Sequence, residues 1–207
     1  MDAYRALCKE AEDDFEGFWA RHAKENLVWN KPFTQVLDES NKPFYKWFAD
    51  GQLNASANCL DKHIGTPVEN KTAIIFEPDN PATAAQTISY RELHARVCQL
   101  ANALQARGVV RGDRVTIYLP MIPETAVAML ACARIGGIHS VVFCGISADA
   151  LAGLIADGSP RVVITADAGW RGGKSGALKT NVDEALTRSG TESVECVLVL
   201  RHTGVQV

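Results

Sequence analysis

From residue 71 onward the chain alternates short apolar runs with amphipathic stretches of helical period, and this alternation restricts the fold more than any other feature. Thr72 to Phe76 is strand-like, Pro78 to Pro81 makes a turn, and Ser89-x-x-Glu92 is a capping box that opens a helix with Leu93, Val97, Leu100, Ala101 and Leu104 on one face. Gly108 ends that helix. Arg114 to Leu119 then reads as a strand, Glu124 to Ile135 as a helix stopped by Gly136-Gly137, and Ile138 to Phe143 as a second strand. Ser147 caps a helix to Ala156, Val162 to Ala166 is a third strand, Leu178 to Leu186 is helical, and Val194 to Leu200 is a fourth strand. Strands separated by helices at this spacing require right-handed crossovers and a parallel sheet. The predicted class is therefore α/β, a partial Rossmann-like parallel sheet with flanking helices. Ligands of such open sheets sit beyond the carboxyl ends of the strands, which makes the loops at Gly145 and at Arg171 to Lys174 eligible binding loops. No covering helix follows the last strand before Val207, so the chain is expected to be a fragment with a truncated sheet.

Ahead of the alternation lies an α-helical, aromatic-rich extension. Tyr4, Leu7, Ala11, Phe15, Phe18 and Trp19 recur at three- and four-residue spacing and place one apolar stripe on an N-terminal helix. Glu10, Asp13, Asp14 and Glu16 fall on its polar side, where charge is solvated surface rather than acid-base machinery. From Val28 to His63 the chain carries Trp29, Phe33, Phe44, Tyr45, Trp47 and Phe48, broken by Pro32, Pro43 and Gly51, as an extension that packs on a larger body would. The expected organisation is an extension over residues 1–70 and a body over 71–207.

Composition removes several classes of partner. Twenty-one basic and 24 acidic residues give a net charge of −3, with no basic tract or aromatic-basic ladder, which argues against nucleic acid. No run approaches the roughly 18 uninterrupted apolar residues of a membrane span, and the acidic N-terminus lacks a signal-peptide core. A cytoplasmic protein is expected. The six cysteines form no C-x-x-C pair and read as reduced core thiols. Cys59 and His63 stand four apart on an expected helix, half of a metal site with no second half in sight, so no metal is assigned.

Trp170-Arg171-Gly172-Gly173-Lys174 follows the third strand and is the stretch richest in binding chemistry. Glycines let backbone and ligand approach closely, a guanidinium clamps a phosphate with parallel hydrogen bonds, and an ammonium adds a point charge. A phosphate grip and a solvated glycine loop both fit these five residues. A Walker-type loop fits less well: in Ala168 to Ser175 the first glycine is replaced by Ala168, and Gly176 separates the Lys-Ser pair from the next helix.

The chain resembles the N-terminal part of the AMP-forming acetyl-CoA synthetases of the adenylate-forming superfamily. The resemblance rests on Trp29-x-Lys31-Pro32-Phe33, on Trp47-Phe48-Ala49-Asp50-Gly51 with Leu53-Asn54, and on Asn58-Cys59-Leu60-Asp61-Lys62-His63. It continues through Ile88-Ser89-Tyr90-Arg91-Glu92-Leu93 and through Ala131 to Phe143. In that family the Arg-Gly-Gly-Lys loop, followed here by Leu178-Lys179 and Val182 to Leu186, is associated with the adenosine 3′-phosphate end of CoA. The resemblance thus implies that Arg171, Gly172, Gly173 and Lys174 bind CoA. Asp183 and Glu184 are expected early in a helix, where acidic residues suit the dipole, and His139 is expected as a buried, hydrogen-bonded strand residue. Phe143-Cys144-Gly145-Ile146-Ser147 departs from the family's Phe-Gly-Gly-Phe-Ser, placing extra bulk at 144 and less at 146.

The same resemblance implies a parent acetate-CoA ligase that uses acetate, ATP and CoA, with magnesium, through acetyl-AMP. The phosphate loop, ribose-binding acid, acyl pocket and adenylation lysine of that family have no counterpart before Val207. No catalytic residue or magnesium ligand is therefore expected within this chain, which alone should be inactive and prone to self-association. A propionate-CoA ligase and a non-catalytic CoA-binding or interaction module are the alternatives.

Overall fold

The computed structural model describes residues 2–207. They form two compact units, one up to Asn58 and one from Cys59 onward.

In the first unit two helices, α1 (Asp2–Asp13) and α2 (Phe15–Asn26), replace the single helix expected from the apolar stripe. The break lies at Asp14, whose carboxylate accepts the Gly17 N–H at 3.0 Å and caps a new helix. One of the carboxylates read as solvated charge is thus a helix stop. Short strands β1 (Leu37–Asp38) and β2 (Lys46–Trp47) pair antiparallel, and the one-turn helix α3 (Ala55–Cys59) follows. The aromatic side chains close on one another. Trp29, Phe33 and Phe48 have ring centroids 4.5 to 5.7 Å apart, and Trp47 meets Phe15, Trp19 and Phe48 at 5.6 to 6.2 Å. The buried Asn58 side chain accepts the Val28 N–H at 2.8 Å and donates to the Val28 carbonyl at 2.9 Å, replacing a strand partner there.

The second unit opens with two 3₁₀ turns, Asp61–His63 and Pro67–Asn70. Cys59 closes α3 while His63 closes the first of these turns, so the two do not share a helix face as expected. Arg134 grips the half-buried Asp61 with two bonds of 2.6 and 2.8 Å, which holds that carboxyl below its ordinary range. Strand β3 (Thr72–Phe76) folds back antiparallel on β4 (Gln86–Ser89), forming a separate ribbon. The sequence reading missed β4 because Gln86 and Thr87 give it no apolar run.

Helix α4 (Tyr90–Ala106) begins at the expected capping box and buries Leu93, Val97, Ala101 and Leu104. Then follow β5 (Arg114–Tyr118), α5 (Pro123–Ile135), β6 (Ile138–Val141), α6 (Ala148–Gly158) and β7 (Val162–Ala166). The hairpin strands β8 (Gly169–Arg171) and β9 (Lys174–Gly176), helix α7 (Leu178–Ala185) and β10 (Cys196–Leu200) complete the unit. The main sheet has the order β10-β7-β5-β6, and every pair in it is parallel. All five residues of β7 are buried, as a central strand covered on both faces must be. Val97 and Leu104, Leu151 and Ile155, and Val182 pack with Val115, Ile117, Val162 and Val163 in one continuous core.

Three further expectations change. His139 lies half-exposed on β6, an edge strand, and is not the buried imidazole expected from its apolar neighbours. Of the cysteines only Cys132 is buried, its thiol pushed up to about 11 by desolvation, whereas Cys59 is exposed and the other four are intermediate. Asp183 and Glu184 fall near the end of α7, because that helix is only eight residues long. They are held by charge pairs, Lys179 to Asp183 at 2.6 Å and Arg188 to Glu184 at 3.1 Å, and the helix N-terminus plays no part.

Leu104 is fully buried where α4 meets the sheet. Leu104→Ala is expected to lower stability by about 2–5 kcal/mol, seen in urea denaturation as a lower midpoint at unchanged slope.

Candidate functional site

Strand order decides where this unit can present a ligand. From β5 the chain runs through α5 to β6 on one side, and from β7 it runs through α7 to β10 on the other, so the order reverses between β5 and β7. Beyond the carboxyl ends of these strands lie Leu119 and Pro120 on one side and Asp167 to Gly169 on the other. A Cβ on Gly169 would lie 3.0 Å from Pro120 Cβ and 3.3 Å from Leu178 Cδ1, so a glycine is what lets the two loops close together there.

Two polar networks hold this edge rigid. Asp167 is 2% exposed, and its carboxylate accepts the N–H groups of Ala168, His202, Thr203 and Gly204 at 2.7 to 3.1 Å. Burial works against its charge, but these donors outweigh burial and hold the carboxyl well below the usual range. The second network is centred on Tyr118, whose hydroxyl donates to the Cys144 carbonyl at 3.2 Å and accepts from Asn181 Nδ2 at 2.7 Å. Asn181 also bonds the Ile146 carbonyl at 3.2 Å, which ties the loop after β6 to α7. Burial, opposed in part by the Asn181 bond, raises the Tyr118 pKa and keeps the hydroxyl protonated.

On this platform stands the β8–β9 hairpin. Gly172 and Gly173 have φ of +57° and +74°, the left-handed pair required by a two-residue type I′ turn. The register pairs Arg171 with Lys174, so both cations issue from the same face of the ribbon. The Arg171 guanidinium stacks over Phe143 at 4.8 Å from the ring centroid. Gly145 permits that stack, since a Cβ there would lie 2.5 Å from Phe143 Cε1 and 2.9 Å from Arg171 Nη1. Among the described residues neither Arg171 nor Lys174 is paired with a carboxylate, which leaves both charges available to an external anion. The carboxylate nearest the turn, Asp79, accepts the Gly172 and Gly173 N–H groups at 2.8 Å each. Those bonds and the turn geometry account for the two glycines: their amides are directed to Asp79 and not into an open phosphate nest. Lys174 and Ser175 lie in a strand and α7 begins only at Leu178, so the Walker arrangement does not form.

Two family models and several known proteins match this chain. The AMP-binding enzyme family matches residues 61–206, and the acetyl-coenzyme A synthetase N-terminus family matches residues 4–59. The chain belongs to the AMP-binding enzyme family. It is 59% identical over its whole length to an acetyl-coenzyme A synthetase of Methylobacillus flagellatus, and 58% identical to one of Ralstonia pickettii. In both cases it spans 31% of the relative's length. The acetoacetyl-CoA synthetase of Streptomyces lividans superposes with a TM-score of 0.86 at 27% identity, covering 99% of this chain and 31% of that one.

At Cys144 and Ile146 both side chains pack against the core while their carbonyls accept the Tyr118 and Asn181 bonds. The register sets Arg171 beside Lys174, the pair singled out from the sequence, whereas Asp79, Tyr118, Asp167 and Asn181 were not singled out there. Their signals are weak in the sequence: an Asp in an Asp-Asn-Pro turn, and an Asp just past a buried strand.

Asp167 yields the test of this platform. Its lowered folded pKa means that its stabilisation is present above the ordinary carboxyl pKa of about 4 and is lost as pH falls through the folded value. Asp167→Asn, which faces several N–H donors with an amide, is expected to cost about 1.5–3 kcal/mol at pH 7. In urea denaturation the gap between variant and wild type should narrow as the buffer is acidified.

Proposed function

We propose that this chain is the amino-terminal part of an AMP-forming acetate-CoA ligase and that its β8–β9 hairpin receives the adenosine 3′-phosphate of CoA. The observation that carries this reading is the register pair Arg171 and Lys174, cations without a carboxylate partner among the described residues and on one face of a type I′ hairpin, in a chain 59% identical to an acetyl-coenzyme A synthetase. A planar guanidinium already oriented by Phe143 loses little freedom when it clamps a phosphate, and Lys174 adds charge without directional demand. The domain organisation in this reading is an extension over 1–70 and the first part of the AMP-binding body over 71–207.

The ligase reaction joins acetate to ATP, giving acetyl-AMP and pyrophosphate, after which the CoA thiol attacks the acetyl carbonyl and AMP departs. In that sequence these residues bind and orient CoA, and no proton or bond change is assigned to them. Magnesium accompanies such ATP chemistry. Among the described residues no group of three His, Cys, Asp or Glu side chains is placed to hold a metal. The proposed partners are therefore acetate, ATP and CoA, in the cytoplasm, without nucleic acid or membrane. No helix among the described residues is long and apolar enough to cross a membrane.

The 207-residue chain is also expected to self-associate. Strand β10 is an edge of the main sheet, and beside it Leu100, Val127, Ile164, Leu198 and Leu200 line an open groove. Light scattering should show mass rising with concentration; a strictly monomeric chain would refute this. In a complete synthetase carrying this hairpin, Arg171→Ala should raise the CoA requirement roughly ten- to a hundredfold, and Lys174→Ala should do less. Pyrophosphate exchange with acetate and ATP should stay nearly intact, and an equal fall in that half-reaction would refute the assignment.

A further inference from the structure

Beyond its base at Gly169 and the stack of Arg171 on Phe143, the hairpin that carries the two cations is exposed. Every residue from Trp170 to Gly176 is exposed, and only Gly169 at its base is buried. A two-residue hairpin of this kind also turns its two loop N–H groups away from the ladder, where they need an acceptor. Here the acceptor comes from far along the chain. Asp79, in the connection between β3 and β4, places Oδ1 2.8 Å from the Gly172 nitrogen and Oδ2 2.8 Å from the Gly173 nitrogen, across 93 and 94 residues. Each oxygen serves one donor, so the carboxylate fixes the orientation of the tip as well as its position. The N–H groups of Gly173 and then Gly172 hold the Asp79 carboxyl below its ordinary range, so it is an anion at neutral pH.

We propose that Asp79 is the positioning residue of this site: by clamping the turn amides from the β3–β4 connection, it holds Arg171 and Lys174 where a phosphate can engage both. This inference rests on the phosphate reading of the hairpin given above. Two consequences follow from the geometry. The turn amides are spent on Asp79, so the phosphate is held by the two side chains and not by a backbone nest. Asp79 also binds backbone and leaves both cations unpaired, so its negative charge organises the site without neutralising it. Asparagine is the discriminating replacement, because it keeps the size but offers one acceptor and turns an NH₂ group against the second donor.

The test uses the ¹⁵N-labelled 207-residue chain as wild type, Asp79→Asn, Asp79→Glu and Arg171→Ala. Amide exchange is read at Gly172 and Gly173, and affinity is measured for CoA and for dephospho-CoA, which lacks the 3′-phosphate. Asp79→Asn is expected to speed exchange at both glycines about tenfold and to cut the preference for CoA over dephospho-CoA by about the same factor. Asp79→Glu, which keeps two acceptors, should restore part of both, and Arg171→Ala should lower the preference without changing glycine exchange. Should Asp79→Asn also unprotect the amides of β7, the comparison moves to Asp79→Glu, whose behaviour must then match wild type more closely than Arg171→Ala does in affinity ratio. The inference is overturned if Asp79→Asn frees the glycine amides yet leaves the CoA preference intact. It is equally overturned if that variant binds CoA more tightly, which would make Asp79 a competitor of the phosphate. A wild-type chain that does not prefer CoA would remove the phosphate reading and this inference together, whereas unprotected glycine amides in wild type would remove the anchor alone.

Discussion

Parallel strands cannot be joined by tight turns, and each one here needs a helix to carry the chain back before the next begins. The buried pair β5 and β7 is where that constraint acts most strongly, because their return connections leave toward opposite edges of the sheet. The helices that cover the sheet are thereby separated, and the loops after both strands are left side by side at one edge. Everything in the candidate site depends on this arrangement. Pro120, Asp167, Gly169 and the hairpin that follows are near one another because Ile117 and Ile164 are register partners in the core.

Two aspartates convert that edge from a set of loops into a platform, and they do so by the same chemistry. Asp167 gathers four backbone donors from its own loop and from the segment after β10, and Asp79 gathers two from the hairpin tip. In each case a carboxylate satisfies N–H groups that irregular backbone would otherwise leave to solvent or, at the buried position, unpaired. Neither needs a cationic partner. The cations of the site are therefore not consumed by internal ion pairs, unlike Arg134, Arg188 or Lys179 elsewhere in the same unit.

Much of the fold was legible because several elements announce themselves by local chemistry. The Ser89 and Glu92 capping box, the Gly136 stop in left-handed conformation and the Ser147 cap stand where the residue types require them. Where reading failed, a local signal was outweighed or absent. An apolar stripe running from Tyr4 to Trp19 suggested one helix, but Asp14 capped a second one within it. His139 has the apolar neighbours of a buried strand, yet its strand became an edge, and edge or centre is decided by strand order, which no local pattern records.

The sequence by itself determined the α/β alternation, the strands of the parallel sheet, the family and the pairing of a guanidinium with an ammonium around two glycines. These follow from short-range rules: hydrophobic period, caps, breakers and motif spacing. Only the tertiary structure decided what the glycines do. Their left-handed turn brings Arg171 opposite Lys174, Gly145 opens the space in which Arg171 meets Phe143, and Asp79 takes the turn amides from more than 90 residues away. A carboxylate in a polar turn looks the same in sequence whether it faces water or a distant backbone. The difference lies in the long-range packing that brings the two loops together.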